Sequence, residues 1–309
     1  SSTERLTLAF VLAAASAGAR PANHAEVVEL LRADGRVAGV AVRDTLEGRT
    51  VEIRARLVLN CAGPWCDDVL ARGGPRCRPA PMLRARNLVL DRAAPVSFAV
   101  GARTGGRFLF LVPWQGRTLV GTDYEPAEAP PSDPLDFLAL ARRAFPWAGL
   151  AEARVTLVHE GLVPGRGGPA GLSTRPRLHD PEAEDGRPGL VSLQGVKYTT
   201  ARAVAERGVD LVLRRLGRPS VPSRTAETVL PAARALSGDL ESRARVAVRD
   251  EMALTLADAV LRRLDLGTAG PPAPADLDIV CRVMGAELGW DARRPHEERE
   301  ALARAFPAA

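Results

Sequence analysis

Two glycine-containing turns are the parts of this sequence whose residue types could do chemistry. Residues 60–65 read NCAGPW and residues 192–200 read SLQGVKYTT. Each turn follows a short apolar run typical of a buried strand and precedes a segment of helical character. Glycine lets the backbone approach a ligand closely, and a helix start exposes N–H groups, so such turns favour anionic or electron-rich atoms. A tight turn that merely requires glycine is the alternative interpretation.

The second turn carries Lys197, the only lysine among 42 basic residues. A compact ammonium and the broad fork of arginine are not interchangeable at a tight site, so this lysine is a candidate functional group. The alternative is that Lys197 has no function and occurs by chance in an arginine-rich chain. Thr199 or Thr200 could cap the following helix. With the N–H donors and the helix dipole, Lys197 could stabilise negative charge on a planar cofactor.

Familiar catalytic signatures are absent from the sequence, which contains no GxGxxG, Walker, HExxH or GxSxG element. The histidines form neither a metal cluster nor an evident triad; they are His24, His159, His179 and His296. The cysteine spacing fits no zinc pattern at Cys61, Cys66, Cys77 and Cys281. We therefore expect no metal, and we interpret the cysteines as small buried hydrophobic residues in a reducing compartment.

The composition describes a globular chain with a large core: 309 residues, 46% hydrophobic and 26% charged. Disorder, collagen and coiled coil are excluded, and the length suggests two domains. The net charge of +5 could suggest nucleic acid, but the arginines are scattered among 37 acidic residues without a basic block. We therefore expect no nucleic-acid partner.

The apolar stretch at residues 6–19 predicts a buried helix, capped by Ser2 or Thr3, ending at Gly18 and packed against the strands that follow. A signal-peptide core is the alternative, although the stretch is too short to span a bilayer. Residues 24–60 read as sheet, with turns at Asp34-Gly35 and Glu47-Gly48. The continuous run 57–60 is typical of a strand covered on both faces, and it leads into a helix over about 66–72.

Residues 80–195 predict a second sheet region, with loops at 126–134 and 164–171. Its strands are expected near 87–90, 107–113, 118–121, 154–159 and 190–193. The rest of the chain predicts helices, over 199–216 and, beyond a linker at 219–222, over 239–264, 275–288 and 295–306.

Six segments together resemble one known family in their order along the chain. They are GAR (18–20) with EVVELL and GVAVRD, ARLVLNCAGPW (55–65), RFLFLVPWQGRTLVGT (107–122), STR (173–175), VSLQGVKYTTARAVAE (191–206) and RDEMALTLADAVLRR (249–263), with ELGW near the end. They resemble the carboxyl-terminal two-thirds of the FAD-dependent glycerol-3-phosphate dehydrogenases, in the D-amino-acid-oxidase-like flavoprotein superfamily.

The resemblance implies an α/β fold: part of a doubly wound FAD-binding domain facing an antiparallel substrate sheet, plus an all-helical carboxyl-terminal domain. The implied domains are an oxidoreductase domain over 1–220, with its substrate sheet at about 78–195, and a helical domain over 223–309. The first turn would lie beside FAD through Ala62, Gly63, Pro64 and Trp65. The second would lie near the N1 and O2 edge of the flavin through Gly195, Val196, Lys197 and Thr199.

The resemblance also implies a reaction, in which a secondary alcohol loses a hydride to FAD and a proton to a base, while quinone or oxygen accepts the electrons. Lys197 and Arg175 are the implied catalytic residues, and Arg175 matches an arginine that binds the substrate phosphate. The implied location is cytoplasmic, with peripheral contact at the inner face of the membrane and a homodimer as further expectations.

Two pocket positions depart from the family pattern. Where the family has KGSH, this chain has RARN, so Asn87 replaces the active-site histidine. Where the family has GLRPL, this chain has GLVPG, so Val163 replaces a substrate arginine, and Arg166 could reach the pocket only if the loop is rearranged. These departures leave glycerol 3-phosphate in question as the substrate.

The family pattern opens with a strand, GxGxxG and a helix that precede the matching segments. We therefore interpret the sequence as a fragment that binds FAD weakly or not at all by itself and is inactive alone. The alternatives are a relative that oxidises amines or amino acids, a noncatalytic binding module and, more distantly, a periplasmic binding protein.

Overall fold

The computed structural model describes residues 2–72, 80–166, 171–230 and 238–306. The helices of these residues are α1 (Thr3–Ser16), α2 (Cys66–Arg72), α3 (Pro134–Ala144), α4 (Pro181–Asp185), α5 (Ala201–Arg215), α6 (Leu240–Arg249), a π-helix (Asp258–Arg263), α7 (Pro274–Leu288) and α8 (Arg294–Ala303). The strands are β1 (Ala25–Ala33), β2 (Arg36–Asp44), β3 (Thr50–Arg54), β4 (Val58–Asn60), β5 (Met82–Leu90), β6 (Val100–Thr104), β7 (Arg107–Trp114), β8 (Arg117–Pro126), β9 (Val155–Pro164), β10 (Arg177–His179) and β11 (Leu190–Gln194).

The first sheet is an antiparallel meander of β1, β2 and β3, as its turn residues predict. Asp34 and Gly35 have φ values of 50° and 74°. A two-residue hairpin whose central residues both have positive φ matches the twist of its strands. Gly189, just before β11, lies against Val37 of β2. A Cβ at Gly189 would be 2.1 Å from the Val37 carbonyl oxygen, so the close approach requires glycine.

The second sheet has the order β10-β11-β4, and β4 and β11 run parallel with Asn60 opposite Ser192. The expectation that residues 190–193 belong to the substrate sheet is therefore wrong. The run LVSLQ is buried throughout, as in a strand packed on both faces, and α5 covers it. The expectation that β4 is covered on both faces is also wrong, because Leu59 is 37% exposed.

The third sheet is antiparallel with the order β6-β7-β8-β5-β9, and it spans residues 82–164. Helix α3, which the sequence interpretation missed, packs on one face against Leu88, Leu109 and Val120. Its start carries the usual helix signals in the sequence. The Asp133 side chain caps the helix by accepting from the Leu135 N–H, and Pro134 occupies the first turn. The strands predicted near 87–90, 107–113, 118–121 and 154–159 are confirmed with longer bounds.

Helix α1 is confirmed, with the Ser2 hydroxyl accepting from the Arg5 N–H, and the chain turns away at Gly18 with φ 96°. Its predicted burial against the following strands is wrong. Only Arg5 and Leu8 of α1 are buried, and the helix lies against the π-helix instead. The reason is an ion pair, because Arg5 binds the buried carboxylate of Glu251 at 2.6 and 2.8 Å.

Helices α6, α7, α8 and the π-helix share a separate apolar core that includes Leu256, Val260 and Met284. The single helix predicted over 239–264 is wrong, because α6 ends at Arg249 and Met252 takes a φ of 58°. The break presents Glu251 to Arg5, a partner that local sequence does not reveal. The predicted helices at 275–288 and 295–306 are observed near those bounds, and the domain boundary at 220–223 stays a prediction. Within the described ranges, no helix combines the length and apolar character required to cross a bilayer.

Candidate functional site

The two glycine turns leave the same edge of the second sheet. Strands β4 and β11 are parallel neighbours, so the residues that follow Asn60 and Gln194 emerge side by side. Strand β10 runs the opposite way, with Arg177 opposite Gln194. Arg175, two residues before Arg177, therefore approaches this edge as well. The sheet thus brings three of the sequence-predicted features to one edge: both turns and Arg175.

The first turn is shaped by the buried amide of Asn60. Its Nδ2 donates to the Cys66 carbonyl at 2.9 Å and to the Ser192 hydroxyl at 3.0 Å. Its Oδ1 accepts from the Ala62 N–H at 3.1 Å. One side chain therefore fixes the turn to the neighbouring strand and to the start of α2. The sequence did not predict that Asn60 fixes the turn. A polar residue at the end of an apolar run is the sequence signal for such a role.

Gln194 ties the first turn to the second and is a site residue that sequence reasoning missed. It is buried at the end of β11, and its Nε2 donates to the Gly63 carbonyl at 3.0 Å. Its Oε1 is buried and has no hydrogen-bond partner in the described part of the chain. An unpaired buried acceptor costs free energy.

The backbone of both turns is open on the side away from the protein. Gly63 has a φ of 57°, which favours glycine, and a Cβ at Gly63 or Gly195 would meet no atom within 4 Å. Beside them Trp65, Lys197 and Tyr198 are exposed. An open glycine backbone, an aromatic ring and a cation are compatible with a planar group that gains negative charge.

Arg166 lies nearer to Arg175 than the sequence suggested. The chain folds back after Pro164, with Gly165 bridged to Leu172 and the Ser173 N–H donating to the Pro164 carbonyl at 2.9 Å. The Arg166 guanidinium then donates to the Thr174 hydroxyl, next to the exposed Arg175. Among the described residues neither guanidinium pairs with a carboxylate. Two arginines are thus free to bind an anion, and Val163 lies upstream on β9.

Asn87 lies on the third sheet, in the middle of β5, and does not contact the glycine turns directly. The turn Gly63–Trp65 lies against β9, and β9 pairs with β5, where His159 is opposite Asn87. The Thr122 hydroxyl donates to Asn87 Oδ1 at 2.9 Å. The third sheet therefore lies beside the first turn through β9, and Asn87 is on the strand next to β9.

The cysteines are only partly as predicted. Cys66 and Cys281 are buried free thiols, and burial, the largest effect, raises the pKa of Cys66. Cys61 is exposed, which corrects the expectation that it is buried, because it lies in the open turn. Cys77 falls outside the described residues. In the ranges that the structure describes, no three His, Cys, Asp or Glu side chains come together as metal ligands.

Parallel strands that end in open glycine turns before helices define an α/β protein of the nucleotide- or flavin-binding class. Comparison with known families makes the assignment specific. The family FAD dependent oxidoreductase, or DAO, matches residues 2–211, and the chain belongs to that family.

Individual relatives agree in their names. The chain is 32% identical over 266 residues to a glycerol-3-phosphate dehydrogenase of Synechocystis, covering 77% of this chain and 48% of the relative. It is 30% identical over 221 residues to the mitochondrial glycerol-3-phosphate dehydrogenase SDP6 of Arabidopsis thaliana, covering 68% of this chain and 35% of the relative. The chain therefore spans between a third and a half of these curated relatives.

The fold is also that of a solved enzyme. The glycerol-3-phosphate dehydrogenase from Bacillus halodurans, solved in complex with FAD, superposes with a TM-score of 0.80 at 23% identity. The superposition covers 98% of this chain and 72% of that structure. At this identity the likeness establishes the fold.

Proposed function

We propose that this chain forms the cofactor- and substrate-facing part of an FAD-dependent dehydrogenase that oxidises glycerol 3-phosphate or a closely related small hydroxy compound. One observation carries the proposal: the open turns at Gly63 and Gly195, joined by Gln194, share a sheet edge with Lys197 and Arg175. The names of the relatives support the substrate class.

Each residue at this edge has a proposed task. Gly63 and Gly195, with Ala62, Pro64, Val196 and Thr199, would form the backbone surface against which FAD lies, and Trp65 would border it. Bound FAD supplies the acceptor for the hydride of a secondary alcohol. The Lys197 ammonium, exposed beside Gly195, would stabilise negative charge at this edge. Arg175, assisted by Arg166, would bind the substrate's anionic group.

Further expectations for the whole protein are part of the same proposal. The reaction needs an electron acceptor, either quinone or oxygen. A cytoplasmic location with peripheral contact at the inner face of the membrane would suit a quinone, and a homodimer is proposed with it. We also propose an oxidoreductase domain over residues 1–220 and a helical domain over residues 223–309.

The test is flavin reduction in the protein as its natural gene encodes it. The purified protein should carry FAD, and anaerobic glycerol 3-phosphate should bleach the oxidised flavin absorbance, whereas glycerol should not. Lys197→Ala should slow bleaching more than it weakens FAD retention. Arg202→Ala is the matched control, because it removes a positive charge from the adjoining helix α5. A protein without flavin, or one that no small hydroxy compound reduces, would refute the proposal, and unchanged kinetics in Lys197→Ala would remove its assigned role.

Amine oxidation is the second candidate function. It is favoured by Asn87 and Val163, which leave two substrate positions without the cationic or titratable groups of the dehydrogenase pattern. Bleaching by a secondary amine or amino acid, but not by a hydroxy compound, would select it. If neither class bleaches the flavin, the noncatalytic binding module becomes the better hypothesis.

A further inference from the structure

Asn87 belongs to a row of residues that crosses four strands of the third sheet. Phe110 is opposite Gly121, Gly121 is opposite Asn87, and Asn87 is opposite His159. Directly paired residues of antiparallel strands project from the same face of the sheet. Leu88 and its neighbours on the other face fill the core beneath α3. The row therefore lies on the face of the sheet opposite α3.

The conformation of Asn87 depends on the absence of a side chain at Gly121. A Cβ placed at Gly121 would lie 1.7 Å from Asn87 Oδ1, so the amide occupies the space that any other residue would fill. The adjacent Thr122 hydroxyl then donates to that same Oδ1 at 2.9 Å. Because a hydroxyl donor engages the amide oxygen, the Nδ2 group is the one directed away from Thr122. Nδ2 has no partner among the residues that the structure describes.

We infer that Thr122 is a positioning residue that holds the Asn87 amide so that Nδ2 donates a hydrogen bond to the substrate oxygen at the reacting carbon. The inference rests on the proposed function. It gives this face of the third sheet the task of binding the substrate oxygen. The turn Gly63–Trp65 lies against β9, the strand that pairs with β5 and carries His159 opposite Asn87. Asn87 is half-buried, as a group that must reach a ligand should be.

The chemistry of the amide limits what Asn87 can do. An asparagine amide neither gains nor loses a proton near neutral pH, so it cannot accept the proton of an alcohol. It can donate to an oxygen, and this bond strengthens as that oxygen loses its proton and its electron density rises. We therefore assign Asn87 the stabilisation of the substrate oxygen, and we assign the proton to a different acceptor.

The experiment is anaerobic flavin reduction by glycerol 3-phosphate in the full protein and three variants. Thr122→Val keeps the side-chain shape but removes the hydroxyl, and the limiting rate of reduction should fall about three- to tenfold, the worth of one hydrogen bond. Thr122→Ser retains the hydroxyl and should restore most of the rate. The pH profile of the rate should keep its shape in Thr122→Val, because the amide does not titrate.

Thr118→Val is the matched control. Thr118 lies on the same strand β8, fully buried on the α3 side, and its hydroxyl has no partner in the described structure. Its replacement should leave reduction unchanged. Equal rates for Thr122→Val and Thr118→Val would overturn the inference while leaving the proposed function intact, as would a Thr122→Ser variant as slow as Thr122→Val. Failure of the unmodified protein to be reduced would remove the proposed function and this inference together.

Discussion

In the proposed function, Arg175 and Arg166 hold the anionic group of the substrate at this edge. Arg175 is exposed and pairs with no carboxylate among the described residues, so its substitution should affect binding more than folding. We expect Arg175→Ala to raise the KM for glycerol 3-phosphate about tenfold, since a charge-assisted hydrogen bond is worth roughly 1.5–3 kcal/mol before solvent screening. Arg166→Ala should have a smaller effect in the same direction, because Arg166 is already engaged by Thr174.

Steady-state kinetics of the full protein would measure this KM. Arg154→Ala is a suitable control, because the Arg154 side chain, just before β9, is 86% exposed and pairs with Asp91. A KM in Arg175→Ala equal to that of the control would mean that Arg175 is a surface cation without a role in binding.

Residue types alone were sufficient to single out some residues of the candidate site. Gly63, Gly195 and Lys197 stand out because each is chemically distinctive where it occurs. The roles of Gln194 and Thr122 could not be predicted in this way, because each depends on a partner on another strand. Gln194 meets Gly63, 131 positions earlier, and Thr122 meets Asn87 across a strand pair. Such contacts depend on the pairing register of the strands, which cannot be read from the sequence.

At the scale of elements, Gln194 determines whether the two turns act as one surface. We expect Gln194→Leu to release the Gly63 carbonyl and loosen the turn while changing the free energy of unfolding little. The lost hydrogen bond is offset because the unpaired Oε1 also disappears from the interior.

Hydrogen exchange would measure the loosening. The Trp65 N–H, which donates to the Ala62 carbonyl at 3.1 Å, should exchange faster, and FAD retention on dialysis should fall. Amides of the β1–β2 hairpin should be unaffected and provide an internal reference. Unchanged exchange at Trp65 would show that Asn60 alone holds the turn.

The elements themselves were predictable where local signals agreed with the final packing. The Asp34-Gly35 hairpin and α7 are examples, since turn chemistry and periodicity suffice for both. The break after α6 was not predictable, because it serves the ion pair of Glu251 with Arg5, 246 positions away. The pairing of β11 with β4 likewise depends on a parallel contact that no short segment encodes.

At the scale of the molecule, the segment around α1 joins the helical part of the chain through buried polar contacts. Arg5 binds Glu251 and also donates to the Arg263 carbonyl at 3.2 Å. Near the end of the same segment, Asn23 Nδ2 donates to the Met252 carbonyl at 2.7 Å. His24 Nε2 lies 2.6 Å from Asp258 Oδ2, at a carboxylate that is 5% exposed. The junction therefore depends on two buried carboxylates, those of Glu251 and Asp258.

Acid should weaken this junction through Asp258. Burial acts to raise its pKa, but the hydrogen bond and charge of His24 and the N–H of Leu254 together hold the pKa below the usual aspartate value. A carboxyl whose pKa is depressed on folding stabilises the native state fully above its unfolded pKa of about 3.9, and this stability is lost as the pH falls towards the folded pKa. His24→Gln removes part of the depression, so the acid unfolding limb should move to higher pH.

Urea unfolding at a series of pH values between about 3 and 7 would measure the shift. His296→Gln is the matched control, since His296 is 77% exposed and its neighbour Glu300 lies on the surface of α8. If the free energy of unfolding of both variants falls with pH as it does in the unmodified protein, His24 does not set the charge of Asp258. If only His24→Gln shifts, the contact between His24 and the π-helix is governed by the ionisation of one buried carboxylate.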